Sequence, residues 1–301
     1  MYPLYNLALF LASPVVLPYY GWRLWKRGRS WEGLAERFGS VPDLPPASGQ
    51  NPRVWVHAVS VGEVLAARPL LERLRERRPE VRFVLSTVTE TGRRLGRERV
   101  PGLEALIYLP LDYPWAVRRS VVRLRPSLFV GLETELWPNL FRALHRRGVP
   151  VLVVNGRLSA RSFRGYRALA PLLRQVLGCV SALGVQSEED ASRYLALGAS
   201  PPRVHVTGNL KFDGAPSRWP PDREGARARF GLDGRDPVIV AGSTHRGEEE
   251  IILDCFVRLS RRFPHLGLLL APRHLERLGE VEALARERGL AWKRRSEAEA
   301  G

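Results

Sequence analysis

The chain has 301 residues, 45% of them hydrophobic, enough for two domains and a real buried core. Its formal charge of +16 comes almost wholly from arginine, since the only lysines are Lys26, Lys211 and Lys293; the arginines are spread rather than blocked, so the charge alone does not argue for nucleic acid and fits phosphates, nucleotides or acidic membrane surfaces equally. Cys179 and Cys255 each lie in an apolar segment and read as core residues of a reducing compartment, and the six histidines show no zinc-ligand spacing, which argues against a structural metal site.

From Tyr2 to Trp22 there is no charged residue, and Arg23, Lys26, Arg27 and Arg29 follow. That length just spans a bilayer as a helix, and the basic flank would stay cytoplasmic. Pro14 and Pro18 favour a kinked or interfacial segment instead. Residues 1–30 are therefore expected to be an uncleaved membrane anchor with its basic flank; a helix packed on the body is the other reading. Val41 to Pro52 is a loop.

Strands and helices then alternate. The pattern predicts strand Val54–Val59, a helix to Arg77, strand Val81–Ser86, a helix from about Glu90, strand Ala105–Tyr108 and a helix around Trp115–Leu124. Strand Leu128–Leu132, helix Trp137–Arg147, strand Val151–Val154 and a helical region Tyr166–Leu177 come next. Strand Ala182–Val185, helix Glu188–Leu197 and strand Val204–Thr207 close this half. Apolar strands alternating with amphipathic helices mean an α/β fold with a doubly wound parallel sheet. The boundaries read as a first domain over 31–213, a linker over 214–224 and a second domain over 225–301. The second restarts the pattern with strand Val238–Ala241, helix Gly247–Phe263, strand Leu266–Ala271 and helix Leu275–Gly289. Two strands make little sheet, so the second domain is expected to be incomplete. Two such domains suggest a nucleotide-sugar glycosyltransferase or a related enzyme.

In open α/β sheets ligands bind at the carboxyl ends of the strands. Here those ends carry Glu63, Thr87 and Thr89, Asp112, Glu133 and Glu135, Asn155 and Arg157, Gln186, Asn209 and Lys211, Ser243 and His245, and Arg273 with His274. Glu63 has two open readings. Ser60-x-x-Glu63 fits a capping box, and a carboxylate at a strand-to-helix turn is also a candidate general base. Helix capping accounts for many of the other groups, but not for Lys211 or Arg273. A cation at a helix start opposes the dipole unless an anion is bound, so these two are candidate phosphate ligands. Gly242, Ser243 and Thr244 lead from strand to helix and offer backbone N–H groups to an anion. There is no P-loop, no dinucleotide-binding glycine fingerprint and no serine-hydrolase elbow.

Several segments in order, ERFG at Glu36, HAVSVGE at His57, TVTETG at Thr87, LPLDYP at Leu109, ETELWPNL at Glu133, NGRLSARSFRGY at Asn155, QSEEDASRYLALGA at Gln186, VTGNLKFD at Val206, AGSTHRGEEE at Ala241 and LAPRHLER at Leu270, resemble the bacterial 3-deoxy-D-manno-octulosonic acid (Kdo) transferases. The resemblance implies the GT-B fold, two Rossmann-like domains with the active site between them, and an enzyme at the cytoplasmic face of the inner membrane. It implies inverting transfer of Kdo from CMP-Kdo to a lipid A precursor, the tetraacyldisaccharide 4'-phosphate, with no metal, no cofactor and no nucleic acid. By the same resemblance Glu63 is the general base, Glu133 and Lys211 assist the transition state, and Pro272 and Arg273 contact CMP, with Ser243, Thr244 and His245 beside them. Glu135 is read as structural. The family's later glycine-rich and N-P-L-E donor motifs are missing, so the chain is expected to be truncated at its C-terminal side. Two other readings stay open: a basic, membrane-associated polyanion-binding domain without catalysis, and a different GT-B enzyme such as a UDP-sugar-dependent lipid A disaccharide synthase.

Overall fold

The computed structural model describes residues 1–26, 33–47, 49–213 and 223–298, and divides into two compact units, Met1–Ala215 and Pro216–Gly301. The basic flank at Arg27 and Arg29, and residues 214–222 of the linker expected over 214–224, lie outside the described residues, while Arg223 and Glu224 begin a helix.

The first unit opens with helices α1 (Tyr2–Lys26) and α2 (Leu34–Arg37). Strands β1 (Arg53–His57), β2 (Arg82–Thr87) and β3 (Ala105–Tyr108) alternate with α3 (Val61–Arg77), α4 (Glu90–Arg99) and α5 (Pro114–Leu124). Then come β4 (Leu128–Leu132), α6 (Pro138–His145), β5 (Val151–Gly156), α7 (Ala160–Ala168), α8 (Ala170–Leu177), β6 (Ala182–Val185), α9 (Glu188–Ala196) and β7 (Val204–Val206), followed by a 3-10 turn, Leu210–Phe212. The strands pair in parallel in the order β3-β2-β1-β4-β5-β6-β7. The order reverses between β1 and β4, which makes their carboxyl ends the switch point where such sheets bind ligands.

Alternation along the strands builds a core on each face. Trp55 and Phe129 point into one cluster with Val117, Leu140, Phe141, Val176 and Tyr194. Val54, Val56, Val130 and Leu132 point into the other with Val64, Ala67 and Leu71. The helical region predicted over Tyr166–Leu177 consists of two helices, which meet at Leu169. Pro171 has no N–H to continue the ladder and suits only a first helical turn.

Helix α1 corrects the reading of a bilayer-spanning anchor: among the described residues no helix is long and apolar enough to cross a membrane. Two prolines and the polar Asn6 and Ser13 interrupt its apolar run. The helix docks on the body instead. Tyr2 is buried under the Arg142 guanidinium, 4.2 Å from its ring. The Tyr5 hydroxyl donates to Asp112 at 2.9 Å, and Asn139 Nδ2 donates to Asn6 Oδ1 at 2.6 Å. Leu4, Leu7, Leu11 and Val15, at helical spacing, stay exposed.

The second unit comprises α10 (Arg223–Arg229), β8 (Val238–Thr244), α11 (Glu248–Ser260), β9 (Gly267–Pro272), α12 (Leu278–Glu287) and α13 (Arg295–Ala298). Strands β8 and β9 pair in parallel, with a register shift between Gly242 and Thr244.

Candidate active site

Glu63 sits at the third position of α3, after N-cap Ser60. Its carboxylate accepts the Val59 N–H at 2.7 Å and the Ser60 hydroxyl at 3.1 Å, but Ser60 makes no side-chain cap bond, so the acid braces the turn into α3 without forming the reciprocal capping box. These two bonds fix the side chain without exhausting it, because a carboxylate has about four lone-pair sites. Glu63 is 7% exposed. Burial pushes its carboxyl above the usual glutamate range; the Val59 N–H opposes this, Glu133 adds to it and Lys211 counters it. A carboxyl raised in this way is suited to taking a proton near neutral pH.

Glu133 follows β4, next to β1 in the sheet. Its backbone is in the left-handed region, φ 58°, and its N–H donates to the Val154 carbonyl at 2.9 Å. Lys211 lies in the 3-10 turn after β7, three strands away. The chain returns across the strand ends, Leu210 packs into the cluster around Val56 and Val64, and the turn packs against α3. Lys211 Nζ thereby reaches Glu133 Oε1 at 3.3 Å. Three residues far apart in sequence, Glu63, Glu133 and Lys211, meet at the switch point.

Glu135 joins them. It is half-buried, and burial together with the negative charges of Glu63 and Glu133 raises its carboxyl to about 7. His57, at the end of β1, is fully buried and pushed down to about 4 by that burial, which keeps it neutral and makes Glu63 the better-placed base.

In the second unit the ends of β8 and β9 lie side by side. The His245 and His274 rings are 6.1 Å apart, and the Arg273 N–H donates to the Thr244 carbonyl at 2.9 Å. Ser243 is exposed with φ 60°, and Arg273 and His245 are exposed. Thr244 is not free to bind through its side chain: it is buried, and its hydroxyl donates to Glu249 Oε1 at 3.0 Å. Glu249, itself buried, is held by Arg277 at 3.1 Å. The His245 N–H is taken by the Glu248 carboxylate at 2.7 Å.

The sequence profile described as 3-deoxy-D-manno-octulosonic-acid transferase matches residues 32–214. A transferase of that name from Haemophilus influenzae is 33% identical over 306 residues, covering 97% of this chain and 68% of its own length. Another from Bordetella pertussis is 37% identical, with the same shares covered. The chain belongs to the Kdo transferase family. As a Kdo transferase-family member it is a glycosyltransferase enzyme of lipopolysaccharide biosynthesis. A UDP-GlcNAc 2-epimerase from Neisseria meningitidis, solved with UDP-GlcNAc, matches at TM-score 0.56 with 12% identity, covering 82% of this chain and 74% of that one. This likeness shows the fold, an α/β architecture of GT-B type.

Measured against the family reading, Glu63, Glu133 and Lys211 come together in the first unit. Ser243, His245, Pro272 and Arg273 come together at one sheet edge of the second. Lys211 has a carboxylate partner within the protein, where the helix-dipole argument anticipated a bound anion. Sequence reasoning missed three features. Asp112, between Pro110 and Pro114, accepts the Asn139 and Leu140 N–H groups at 2.9 Å each and caps α6 from a distance. Its carboxyl is raised to about 6 by burial. Glu135 is electrostatically part of the acidic group rather than a bystander. Asn155 bonds a segment 55 residues away. No local pattern announces such long-range partners; Asn before Gly at a strand end was the available sign for the last.

Proposed function

We propose that the chain transfers Kdo from CMP-Kdo to the sugar hydroxyl of a lipid A precursor, with inversion. Glu63 takes the hydroxyl proton as its oxygen attacks the anomeric carbon. The bond from that carbon to the CMP phosphate oxygen breaks, and positive charge gathers on the sugar ring. Glu133 stabilises that charge, and Lys211 holds Glu133 in place and balances its charge. Arg273 and the backbone around Ser243 and Pro272 serve the leaving CMP. Inversion needs one base and no protein nucleophile, which suits a group with a single well-placed base.

The observation that carries this reading is the meeting of Glu63 with the Glu133–Lys211 pair at the sheet switch point. An anionic acceptor is supported by Arg157, Arg161, Arg164 and Arg167. These are exposed and lack a carboxylate partner among the described residues. Thr134 donates to the Arg157 carbonyl, which ties the first of them to the segment between Glu133 and Glu135. The exposed apolar stripe of α1 is proposed to lie on the cytoplasmic surface of the inner membrane, where the acceptor resides. The test is transfer itself: CMP-Kdo and lipid acceptor are incubated with the protein and the product mass is read. A product heavier by one or more Kdo units, with inhibition by CMP but not UDP, is expected. Inhibition by UDP alone would point to a UDP-sugar enzyme, and tight duplex DNA binding at physiological salt to a polyanion-binding role.

A further inference from the structure

We infer that Asn155 is a positioning residue that holds Lys211 against Glu133. Its role in transfer rests on the function proposed above, but the geometry does not. Lys211 follows β7, whereas Glu133 follows β4, and β5 and β6 lie between. At about 4.8 Å per strand, the segment after β7 must come back across roughly 14 Å of strand ends. Short edge strands give such a return path little to lean on. β7 has only the residues Val204–Val206, and His205 and Val206 are exposed.

Asn155, at the end of β5, supports that path one strand short of Glu133. Its Oδ1 accepts the Leu210 N–H at 3.0 Å, one residue before Lys211. The Lys211 N–H is then taken by Asn209 Oδ1 at 3.0 Å, which closes the turn. On the other side, the carbonyl of Val154 accepts the Glu133 N–H at 2.9 Å. Consecutive residues of one strand thus tether both members of the ion pair. Asn155 is itself fixed: it is 1% exposed, and its own carbonyl accepts from Gln186 Nε2 at 3.1 Å. Its φ of 58° lies in the left-handed region, which disfavours most side chains and suits Asn, Asp and Gly. Of these, Gly has no oxygen for Leu210. The position therefore calls for a backbone conformation and an acceptor together.

The test separates this from a general packing role. Asn155→Gly keeps the backbone conformation and removes the acceptor; Asn155→Asp keeps both. Protein labelled with 15N-lysine gives amide signals only from Lys26, Lys211 and Lys293, and Lys211→Arg identifies the one that matters. In Asn155→Gly the Lys211 signal is expected to move or broaden while the other two stay. In transfer assays, Asn155→Gly is expected to lower kcat without raising KM for the donor, and Asn155→Asp to recover most of it. Asn155→Gly combined with Lys211→Ala is expected to be no slower than Lys211→Ala alone, because the asparagine acts through the lysine. A Lys211 signal that stays put, equal movement of all three signals, or a double variant slower than Lys211→Ala would overturn the proposal. If the unsubstituted protein transfers no Kdo, the reaction reading fails and the lysine signals still decide the positioning.

Discussion

Replacing Glu63 by glutamine tests whether this residue does more than brace the turn into α3. The amide is nearly the same shape. Its oxygen still accepts the Val59 N–H, and its NH2 can donate to the Ser60 hydroxyl where the carboxylate accepted from it. What is lost is one charge at a helix N-terminus, worth about 0.3–1 kcal/mol, and the charge-assisted part of two hydrogen bonds, about 1 kcal/mol. Burial already disfavours that charge, so removing it returns part of the loss. The net cost is at most about 1–2 kcal/mol, a fall in Tm of no more than about 8 °C for a unit of this size. Loss of a general base instead lowers turnover about 10²–10⁴-fold, which is about 2.7–5.4 kcal/mol in the barrier. The two effects are separable because a protein folded at assay temperature does not lose kcat through a small fall in Tm. Calorimetry, CMP binding and the rate of Kdo transfer on the same preparation decide it. In the unsubstituted enzyme, kcat/KM should rise with pH through a pKa above the ordinary glutamate range. A glutamine variant that turns over within about threefold of the parent, with the same pH profile, would leave Glu63 with a structural role alone.

Glu135 gives a stability prediction. Its folded-state value, raised from 4.5 to about 7, means the folded protein binds its proton more tightly than the unfolded chain does. That stabilisation is complete below the unfolded value and is lost as pH rises through the folded one. The parent Tm should therefore fall relative to Glu135→Gln between about pH 5 and about pH 8, and parallel curves would count against the burial argument. Arg53 is 1% exposed and bound to Glu104 through two nitrogens, at 2.5 and 2.7 Å. Glu104→Ala leaves that guanidinium short of a partner and should cost about 3–5 kcal/mol, read by urea denaturation. The Arg53 hydrogen bond holds the Glu104 carboxyl below its usual range, so this stabilisation is present above the ordinary glutamate range and is lost as pH falls through the lowered value. On α1, Leu7→Glu with Leu11→Glu should abolish flotation with anionic phospholipid vesicles without changing Tm, since both side chains are exposed; unchanged flotation would remove the helix from membrane contact.

Much of this was legible in the sequence because the strands are apolar runs and the helices begin with recognisable punctuation. Thr89, Ser159 and Ser187 each accept from a first-turn N–H, as helix starters should. The identity of the acidic and basic groups at the strand ends was equally plain, because a parallel sheet places them there by topology. What remained hidden depends on contacts over long sequence separations. The docking of α1 needs Tyr5 to meet Asp112, 107 residues on, and an apolar run that packs cannot be told locally from one that spans. The burial of Thr244 depends on Glu249 and Arg277, whose pairing reflects the fold of α11 and α12 rather than any motif. Glu135 looked structural because its neighbours in sequence are ordinary; its carboxyl is raised by burial first and then by Glu63, on another strand-to-helix turn.

The backbone carries a parallel argument about where the chemistry sits. Among the described residues, those other than glycine with positive φ are Arg125, Glu133, Asn155 and Ser243. Arg125 is the ordinary case: it ends α5, where a left-handed residue commonly closes a helix. The other three stand at the carboxyl ends of β4, β5 and β8, where glycine would cost nothing in strain and a strand could simply stop. Keeping a side chain there means tolerating a sparsely populated conformation, and such conformations persist where the surroundings over-determine them. For Glu133 the surroundings are the Val154 carbonyl and Lys211; for Asn155 they are Leu210 and Gln186. Replacing Glu133 by glycine should then relax the backbone while removing the carboxylate. A Glu133→Gly protein at least as stable as Glu133→Ala, but as inactive, would show that the strain is retained for what the side chain does. A glycine variant less stable than the alanine one would show that the strain is absent.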